Sequence, residues 1–393
     1  MQLHQTLPFT DNAFFLFLGI VVISIWIVKR LLKQYIPYKW LLATTSLIYI
    51  VLLFNKPINI LVLILALYCV VLLLRKYYKK ENIIFPMLVL ALPIFAVKML
   101  GIIAVEGQSI TIRDFRSFIQ IAGLSYMIFK VISLYIDERH HNHKIEFIDF
   151  FNFTAFTPTL LIGPLDRFNR FKTDTENGYQ NMTSELAYKG WENFILGLLF
   201  KFIIAEAIRR LVLQYIVVEE SIWQHVAYMY SYLLYLFFDF AGYSLLAISA
   251  GNFIGIHVPI NFNKPFSAVN PKEFWKRWHK SLGDWLNDYF FKPLFKDFTS
   301  RKVWNSIQRQ NVALLLTFTL MGFWNGFELH YIASGILFGL YSVIHNYYVY
   351  RCKKTKKDVF FGKLPPPIVK VLSILIMFNA VAFAIYIFSG KLI

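Results

Sequence analysis

Charged residues and cysteines are both scarce in this chain of 393 residues. Charged side chains make up 16% of the chain, whereas soluble domains carry about 25%, and no long polar block occurs. The 2 cysteines, Cys69 and Cys352, lie far apart, which excludes a disulfide framework and a cysteine-based metal site. The shortage of charge excludes a soluble enzyme and a disordered chain.

Apolar residues take the place of the missing charges. Hydrophobic residues make up 57% of the chain and aromatic residues 18%, and apolar runs recur along its whole length. This pattern predicts an all-α, polytopic membrane protein with one membrane-embedded domain over residues 1–393. Within that domain, residues 1–114 carry plain spans, and residues 115–393 carry the distinctive motifs.

The excess of positive charge follows the membrane pattern. The 40 Lys and Arg outnumber the 23 Asp and Glu, which gives a net charge of +17. These cations lie in short loops beside apolar runs, as the positive-inside rule describes. We therefore expect a lipid bilayer, and no nucleic acid, as the partner of this charge. The first apolar run begins at Ala13 without a basic segment or a cleavage site, so we expect a retained span.

The first part of the chain predicts alternating passes through the membrane. Basic loops follow the first, third and fifth apolar runs, which places the N-terminus outside and these loops in the cytoplasm. The predicted passes are residues 13–28, 41–54, 58–74, 83–105 and 115–136, and residues 106–109 form a polar outer loop.

The pattern becomes less regular beyond residue 147. The apolar run 150–162 contains Pro158 and precedes Gly163-Pro164, which predicts a re-entrant or buried half-helix. The polar residues 172–184 predict a loop. Further spans are predicted at residues 186–218, 226–254, 312–323 and 332–350, with a last span that ends at Phe388.

The segment from Pro271 predicts an amphipathic helix that Pro293 ends or kinks. The simplest interpretation is a helix in the membrane interface. Its apolar side has Leu282, Leu286, Phe290 and Leu294, and its polar side has Lys276, Lys280, Asp284, Asp288 and Lys292. His279 does not fit this interpretation, because an imidazole between Trp275 and Trp278 in a membrane protein is a functional candidate.

Other polar residues interrupt apolar regions. Asn325 and His330 do so in residues 321–331, and Asp239 does so in residues 236–243, where we expect a structural hydrogen-bond anchor. His140, His141 and His143 occur in a charged loop, which favours a solvated face over a metal site. We expect no metal, and His225, His257 and His345 are isolated and receive no role.

The segment Trp275-Lys-Arg-Trp-His279, followed by a tryptophan-glycine element and a further span, resembles the membrane-bound O-acyltransferases. Within that family the chain resembles the branch that transfers D-alanine to teichoic acids in Gram-positive bacteria. The alginate-type O-acetyltransferases share the Gly-Pro and Trp-His elements but not usually Asp166-Arg167. The segments that carry the narrower resemblance are 163–171, 236–244, 261–265 and 388–393.

The resemblance implies a ring of about eleven transmembrane helices in the plasma membrane, with re-entrant and interfacial helices around a central funnel. It implies no tightly bound cofactor. A cytoplasmic carrier protein would present D-alanine as a phosphopantetheine thioester. A small single-span partner peptide and a membrane-anchored partner enzyme of the same pathway would pass the D-alanine on. Carriers of this kind are acidic, so the basic segment 292–309, with its apolar Val303 and Ile307, is the expected docking site.

The resemblance also implies a set of site residues. Catalysis would fall to His279. Further candidates are Asn325 of the second element and His330, which is proposed only because it lies near that element. The residues expected along the substrate channel or in support of it are Trp275, Trp278, Trp324, Asp239, Asp166 and Arg167.

The second element departs from the family pattern. The family has Trp-His-Gly, and this chain has Trp324-Asn325-Gly326, where an amide cannot act as a base. Asn325 would suit an oxyanion donor instead. His330 lies about 140° around a continuous helix from Asn325, so it could replace the missing base only if the helix breaks there. A second family histidine is also missing, at Phe338-Gly339.

Several interpretations stay open from the sequence. The chain is a divergent acyltransferase that uses His279 or His330, an inactive paralogue, or an enzyme of other acyl chemistry, such as an alginate-type O-acetyltransferase. A transporter of an acyl substrate predicts internal repeats, which the sequence does not show. A non-catalytic docking platform for the carrier is favoured by Asn325 alone.

The alternation of loops gives a direct test of the topology. In a chain without its natural cysteines, single cysteines at Lys79 and Glu106 should react with an impermeant thiol reagent from opposite sides of the membrane. The basic run 351–363 should be cytoplasmic and the C-terminus outside. Labelling of both positions from the same side would refute this topology.

Overall fold

The computed structural model describes residues 12–32, 35–54, 56–78, 83–103, 123–141, 144–218, 221–356 and 364–392. Within these ranges every regular element is a helix, as the apolar pattern predicted. Four helices of the described chain are long and apolar enough to cross a membrane: Ala13–Leu32, Pro57–Tyr77, Ile222–Phe253 and Pro366–Phe388. The described chain is therefore an all-helical protein with several membrane-spanning candidates.

The chain divides into two compact units, Met1–Leu198 with Tyr243–Pro259, and Leu199–Gly242 with Ile260–Ile393. The single domain with a motif-bearing part from residue 115 stays a prediction. In the first unit the helices are α1 (Asn12–Leu32), α2 (Tyr38–Leu53), α3 (Pro57–Tyr77), α4 (Ile84–Ile103), α5 (Leu124–Glu138), α6 (Phe147–Ala155), α7 (Phe168–Glu176), α8 (Gly178–Asn181) and α9 (Ser184–Leu198).

The predicted passes of the first unit all coincide with helices. They correspond to α1 through α5, and the described part of the fifth begins at Leu124. The predicted outer loop 106–109 and the loop residues Lys79 and Lys80 lie outside the described residues. The predicted half-helix is α6, a buried helix of 9 residues that ends before Pro158 and leads into the 3₁₀ turn Thr157–Thr159.

The loop predicted at residues 172–184 is wrong, because α7 and α8 occupy most of it. Arg170 lies one helical turn from both Asp166 and Asp174. Its Nε donates to Asp166 Oδ1 at 2.8 Å, and its Nη1 donates to Asp174 Oδ2 at 3.1 Å. Such pairs one turn apart stabilise a helix that composition alone does not favour. Asp174 Oδ2 also accepts from the backbone N–H of His257 at 2.8 Å, which ties α7 to the loop after α11.

The second unit contains most of the motifs. Its helices are α10 (Glu206–Leu211), the first part of α11 (Ile222–Phe253), α12 (Pro271–Trp275), α13 (Lys280–Leu286), α14 (Lys292–Ser300), α15 (Ser306–Asn325), α16 (Leu329–Thr355) and α17 (Pro366–Phe388). The spans predicted at 226–254, 312–323 and 332–350 and the last span are therefore confirmed as helices. The span predicted at 186–218 is helical but interrupted, since the π-helix Leu199–Ala205 separates α9 from α10.

The amphipathic helix predicted from Pro271 is not one helix. It is broken between α12 and α13, where His279 has a left-handed backbone. Beyond the break the helical chain passes Pro293 and continues to Ser300, and the π-helix Asn287–Phe291 precedes the proline. The π-helix is the local distortion that a proline inside a helical run requires, because its ring excludes regular α-hydrogen bonding.

The ion pairs of Arg170 give a prediction for stability. Arg170→Ala leaves the buried Asp166 carboxylate without its guanidinium, so it should lower the free energy of unfolding by about 2–3 kcal/mol, the range for a lost hydrogen bond to a charged group. Lys189→Ala is the matched control, because Lys189 and Glu185 form a pair of the same spacing with exposed side chains. That change should stay within about 0.5 kcal/mol. Thermal unfolding in detergent measures both, and equal losses would contradict the role of Arg170.

Candidate active site

The second unit turns its chain sharply at His279. The α12 helix ends at Trp275, and its last turn is closed by the Trp278 N–H, which donates to the Phe274 carbonyl at 2.8 Å. His279 then has φ 44° and ψ 47°, and α13 begins at Lys280. Left-handed backbone costs a residue other than glycine about 1–2 kcal/mol, so the surroundings must hold it in place.

Asn261 and Asn263 hold this turn from both sides. The Asn263 N–H donates to the Arg277 carbonyl at 2.9 Å, and the Lys280 N–H donates to the Asn261 carbonyl at 2.9 Å. Asn261 Oδ1 accepts from Ser281 Oγ at 2.6 Å and from the Ser281 N–H at 3.3 Å. His279 offers no side-chain cap to α13, so Asn261 supplies the cap from another segment.

The His279 side chain points into an aromatic enclosure. It is 7% exposed, and its ring lies edge-on to Phe240, with 4.7 Å between the ring centroids. Its Nε2 is buried and has no hydrogen-bond partner among the described residues. Burial lowers the pKa of His279 from 6.5 to about 3, so the imidazole is neutral at physiological pH. A neutral imidazole with an unsatisfied nitrogen can bind or deprotonate a small polar group.

Trp275 and Trp278, the two tryptophans of the segment that ends at His279, hold this enclosure together. Trp275 lies 5.0 Å from Phe338 and 5.1 Å from Phe318, which belong to α16 and α15. Trp278 stacks on Phe274 with 5.5 Å between their centroids. The Trp324 ring, from the second element Trp324-Asn325-Gly326, approaches His279, with 6.5 Å between their centroids. The structure thus brings both sequence motifs together at His279.

Asn325 does not take part in this contact. It is the exposed last residue of α15, and its Nδ2 donates to the Met321 carbonyl of its own helix at 2.9 Å. The helix break that a replacement by His330 requires is present, since α15 ends at Asn325 and α16 begins at Leu329. His330 is half-buried, with its ring 4.0 Å from that of Tyr331. Within the described chain, no hydrogen bond or ring contact joins His330 or Asn325 to His279.

The acidic candidates have partners of their own. Asp239 Oδ1 lies 2.6 Å from Lys201 Nζ of the π-helix, which fits the expected structural anchor. Asp166 belongs to the first unit, where it accepts from the Arg167 N–H at 2.6 Å and pairs with Arg170. Asp166 and Arg167 therefore fix the start of α7. His279, in contrast, belongs to the second unit.

The remaining candidates lie at the surface. Val303 is exposed between α14 and α15, and Ile307 is half-buried in the first turn of α15. The neighbouring Trp304 is 54% exposed and packs edge-on against Phe298 at 5.5 Å. No group of three or more His, Cys, Asp or Glu side chains that could hold a metal occurs in the described parts of the chain. His143 of the loop triplet lies outside them.

These features define a helical membrane protein with a histidine-centred site enclosed by aromatic rings. The chain belongs to the membrane-bound O-acyltransferase family, whose family model matches residues 3–389. The resemblance seen in the Trp-His element is therefore confirmed.

Two of the relatives that match this chain cover nearly all of it, and a third covers part of it. It is 32% identical over 400 residues to the teichoic acid D-alanyltransferase of Bacillus subtilis, with 98% of each chain covered. It is also 32% identical over 409 residues to the enzyme of that name from Streptococcus thermophilus, covering 100% of this chain and 97% of the relative. The peptidoglycan O-acetyltransferase of Helicobacter pylori is 33% identical over 251 residues, covering 62% of this chain and 44% of that protein.

The hydrogen bonds of Asn261 and Asn263 form a clamp on the turn at His279, and the clamp can be tested through Asn261. Asn261→Ala removes the oxygen that accepts both Ser281 hydrogen bonds, so the free energy of unfolding should fall by about 2 kcal/mol. Asn305→Ala is the control, because Asn305 caps α15 at an exposed helix start and should cost about 1 kcal/mol. Thermal unfolding in detergent compares the two variants. A loss for Asn261→Ala no larger than that for Asn305→Ala would contradict the clamp.

Proposed function

We propose that this chain transfers D-alanine, delivered as a phosphopantetheine thioester on a cytoplasmic carrier protein, towards teichoic acid. The observation that carries the proposal is the buried Nε2 of His279, which has no partner in the described chain. The relatives that cover almost the whole chain are teichoic acid D-alanyltransferases, which supports this choice of substrate.

The proposal includes the setting of the reaction. The chain crosses the plasma membrane of a Gram-positive bacterium several times, and about eleven helices form a ring around a funnel. The carrier docks from the cytoplasm at Val303 and Ile307. A small single-span peptide and a membrane-anchored enzyme of the same pathway complete the transfer. No tightly bound cofactor is required, because the carrier brings the activated acyl group.

The proposed reaction is acyl transfer from a thioester to a hydroxyl group. The acceptor oxygen attacks the thioester carbonyl carbon, and His279 Nε2 takes the hydroxyl proton as the new C–O bond forms. The C–S bond then breaks, and the imidazolium returns the proton to the leaving sulfur. The products are a D-alanyl ester and the free thiol of the carrier. Burial keeps His279 unprotonated before the reaction, and the same burial weakens it as a base, so the proton transfer depends on the acceptor hydroxyl being held at Nε2.

The second motif has a smaller part in this mechanism. Asn325 Nδ2 uses one of its two N–H donors on the Met321 carbonyl and has no contact with His279, so the proposal places proton transfer at His279. His330 is the alternative base. Because the chain breaks between α15 and α16, one continuous helix does not set the angle between His330 and Asn325.

A second candidate function is a catalytically inactive docking platform for the carrier. The bond from Asn325 to its own helix favours it, because the position of the usual catalytic histidine is filled by a side chain with a structural partner. Such a chain would bind the carrier and transfer nothing.

Histidine variants distinguish these possibilities by D-alanyl transfer from the charged carrier in proteoliposomes. His279→Ala should lower the rate by roughly 10²–10⁴-fold, the usual loss for a general base. His330→Ala should lower it as much only if His330 is the base. Wild-type activity in His279→Ala would refute the proposal. If only Asn325→His transfers D-alanine, the chain is the inactive platform.

Carrier docking has its own test. The double variant Val303→Asp with Ile307→Asp should abolish carrier binding in a pulldown and leave the protein folded, because Val303 is exposed and Ile307 is only half-buried. Leu364→Asp, an exposed apolar position before α17 and outside the predicted spans, serves as the control and should retain the carrier. Unchanged capture of the carrier by the double variant would remove this docking site.

A further inference from the structure

Arg309, near the start of α15, has no ion pair within the described chain. Its side chain is half-buried, its Nε is buried, and among the described residues nothing accepts a hydrogen bond from its guanidinium. A charge that is partly removed from water without a counter-charge destabilises a protein, so we expect Arg309 to serve a ligand. Other arginines of the second unit pair with a carboxylate three or four residues away, and they are Arg209, Arg210, Arg277 and Arg301.

The start of α15 offers Arg309 no acidic neighbour. The first turn of this helix contains no acidic residue, and Asn305 and Gln308 use their side chains to cap each other's backbone N–H groups. The dipole of a helix places its positive end at the N-terminus, which disfavours a cation there and favours an anion. The missing counter-charge of Arg309 is therefore expected to come from outside the chain.

The position of Arg309 connects the expected docking site with the candidate active site. It follows Ile307 by two residues, on the end of α15 that the predicted topology places in the cytoplasm. At the other end of α15, the Trp324 ring approaches His279. Arg309 and Trp324 lie within about 60° of each other around the helix, so they share one side of it.

The length of α15 between these residues fits the arm of the proposed acyl donor. From Arg309 to Trp324 the helix rises about 22 Å, at 1.5 Å per residue. A phosphopantetheine arm has roughly thirteen bonds between phosphorus and sulfur, so it spans about 15 Å at the spacing of an extended chain. The arginine side chain covers most of the remainder. A phosphate held at Arg309 thus allows the thioester to reach His279.

We propose that Arg309 binds the phosphodiester of the carrier's phosphopantetheine arm and so positions the thioester for His279. The inference rests on the proposed function, since it assigns a contact for the same acyl donor. A guanidinium donates two parallel hydrogen bonds to two phosphate oxygens, which the ammonium of a lysine does not match. The phosphate supplies the counter-charge that Arg309 lacks in the described chain.

Binding of two carrier forms tests this contact without any need for activity. The chain in phosphatidylcholine nanodiscs is titrated with the carrier that bears phosphopantetheine and with the carrier whose serine is bare. Arg309→Gln should raise the Kd of the first form about tenfold and leave the Kd of the second within twofold. Arg309→Lys should give an intermediate Kd for the first form, because it keeps the charge and loses the paired hydrogen bonds.

The matched control is Arg351→Gln, which removes the same charge from an exposed position near the end of α16. Both carrier forms should bind this variant as they bind the wild type. Equal weakening of both forms by Arg309→Gln would overturn the proposal, because Arg309 would then contact the protein part of the carrier. An unchanged Kd for both forms would overturn it as well.

Thermal unfolding separates a ligand contact from a structural role. Removing an unpaired, half-buried charge should not lower the unfolding midpoint, so Arg309→Gln should match or exceed the wild type. Phosphopantetheine should raise the midpoint of the wild type more than pantetheine, which lacks the phosphate, and this difference should vanish in Arg309→Gln. A lower midpoint in Arg309→Gln would show that the guanidinium supports the fold instead.

An anionic lipid is the other source of a phosphate at this depth of the membrane. The titrations are therefore repeated in nanodiscs that contain phosphatidylglycerol. The effect of Arg309→Gln on the arm-bearing carrier should persist there. If phosphatidylglycerol abolishes the difference between the two carrier forms, the site belongs to a lipid headgroup and the proposal is overturned.

Kinetics in proteoliposomes distinguish the failure of this contact from the failure of the proposed function. Arg309→Gln should raise the KM for the charged carrier about tenfold and leave the KM for the acceptor within twofold. Selective binding of the arm-bearing carrier by a chain that transfers no D-alanine would support the contact and refute the proposed function. Transfer by the wild-type chain, with an unchanged carrier KM in Arg309→Gln, would refute the contact and leave the proposed function standing.

Discussion

The left-handed backbone at His279 is the constraint on which the candidate site depends. It separates α12 from α13 and turns the imidazole into the aromatic enclosure. A residue other than glycine keeps this conformation only when its neighbours enforce it, and Asn261 and Asn263 do so through hydrogen bonds on both sides of the turn. A continuous amphipathic helix from Pro271 would have placed His279 on the surface of that helix. The break therefore creates the buried histidine that the proposed chemistry needs.

The aromatic excess of the composition has a structural counterpart around this site. Trp275 and Trp278 fix the short α12 helix against rings of neighbouring segments, while Phe240 and Trp324 lie against the imidazole itself. The closely packed rings surround the imidazole with apolar surface, which disfavours its charged form and keeps it neutral. The same side chains thus support the fold and set the protonation state of the candidate base.

The sequence predicted the helices well, because long apolar runs have few alternatives in a membrane protein. It also singled out His279 and its tryptophans. It missed the turn at His279, since the helical spacing of the leucines continues through the break. It also missed α7, because the polar composition of this segment predicts a loop. The ion pairs of Arg170 with Asp166 and Asp174, which support the helix, leave no clear sign in the composition. Asn261 appeared only as part of a resemblance, because a clamp between distant segments leaves no periodic signal.

The central claim is that this chain, with its altered second motif, still moves D-alanine to teichoic acid through His279. The most direct measurement is the D-alanine ester content of teichoic acid in cells with the chain, without it, and with the chain restored as His279→Gln. The account predicts that the ester content falls when the chain is removed, returns with the wild-type chain, and does not return with His279→Gln. An ester content that is the same with and without the chain would contradict it.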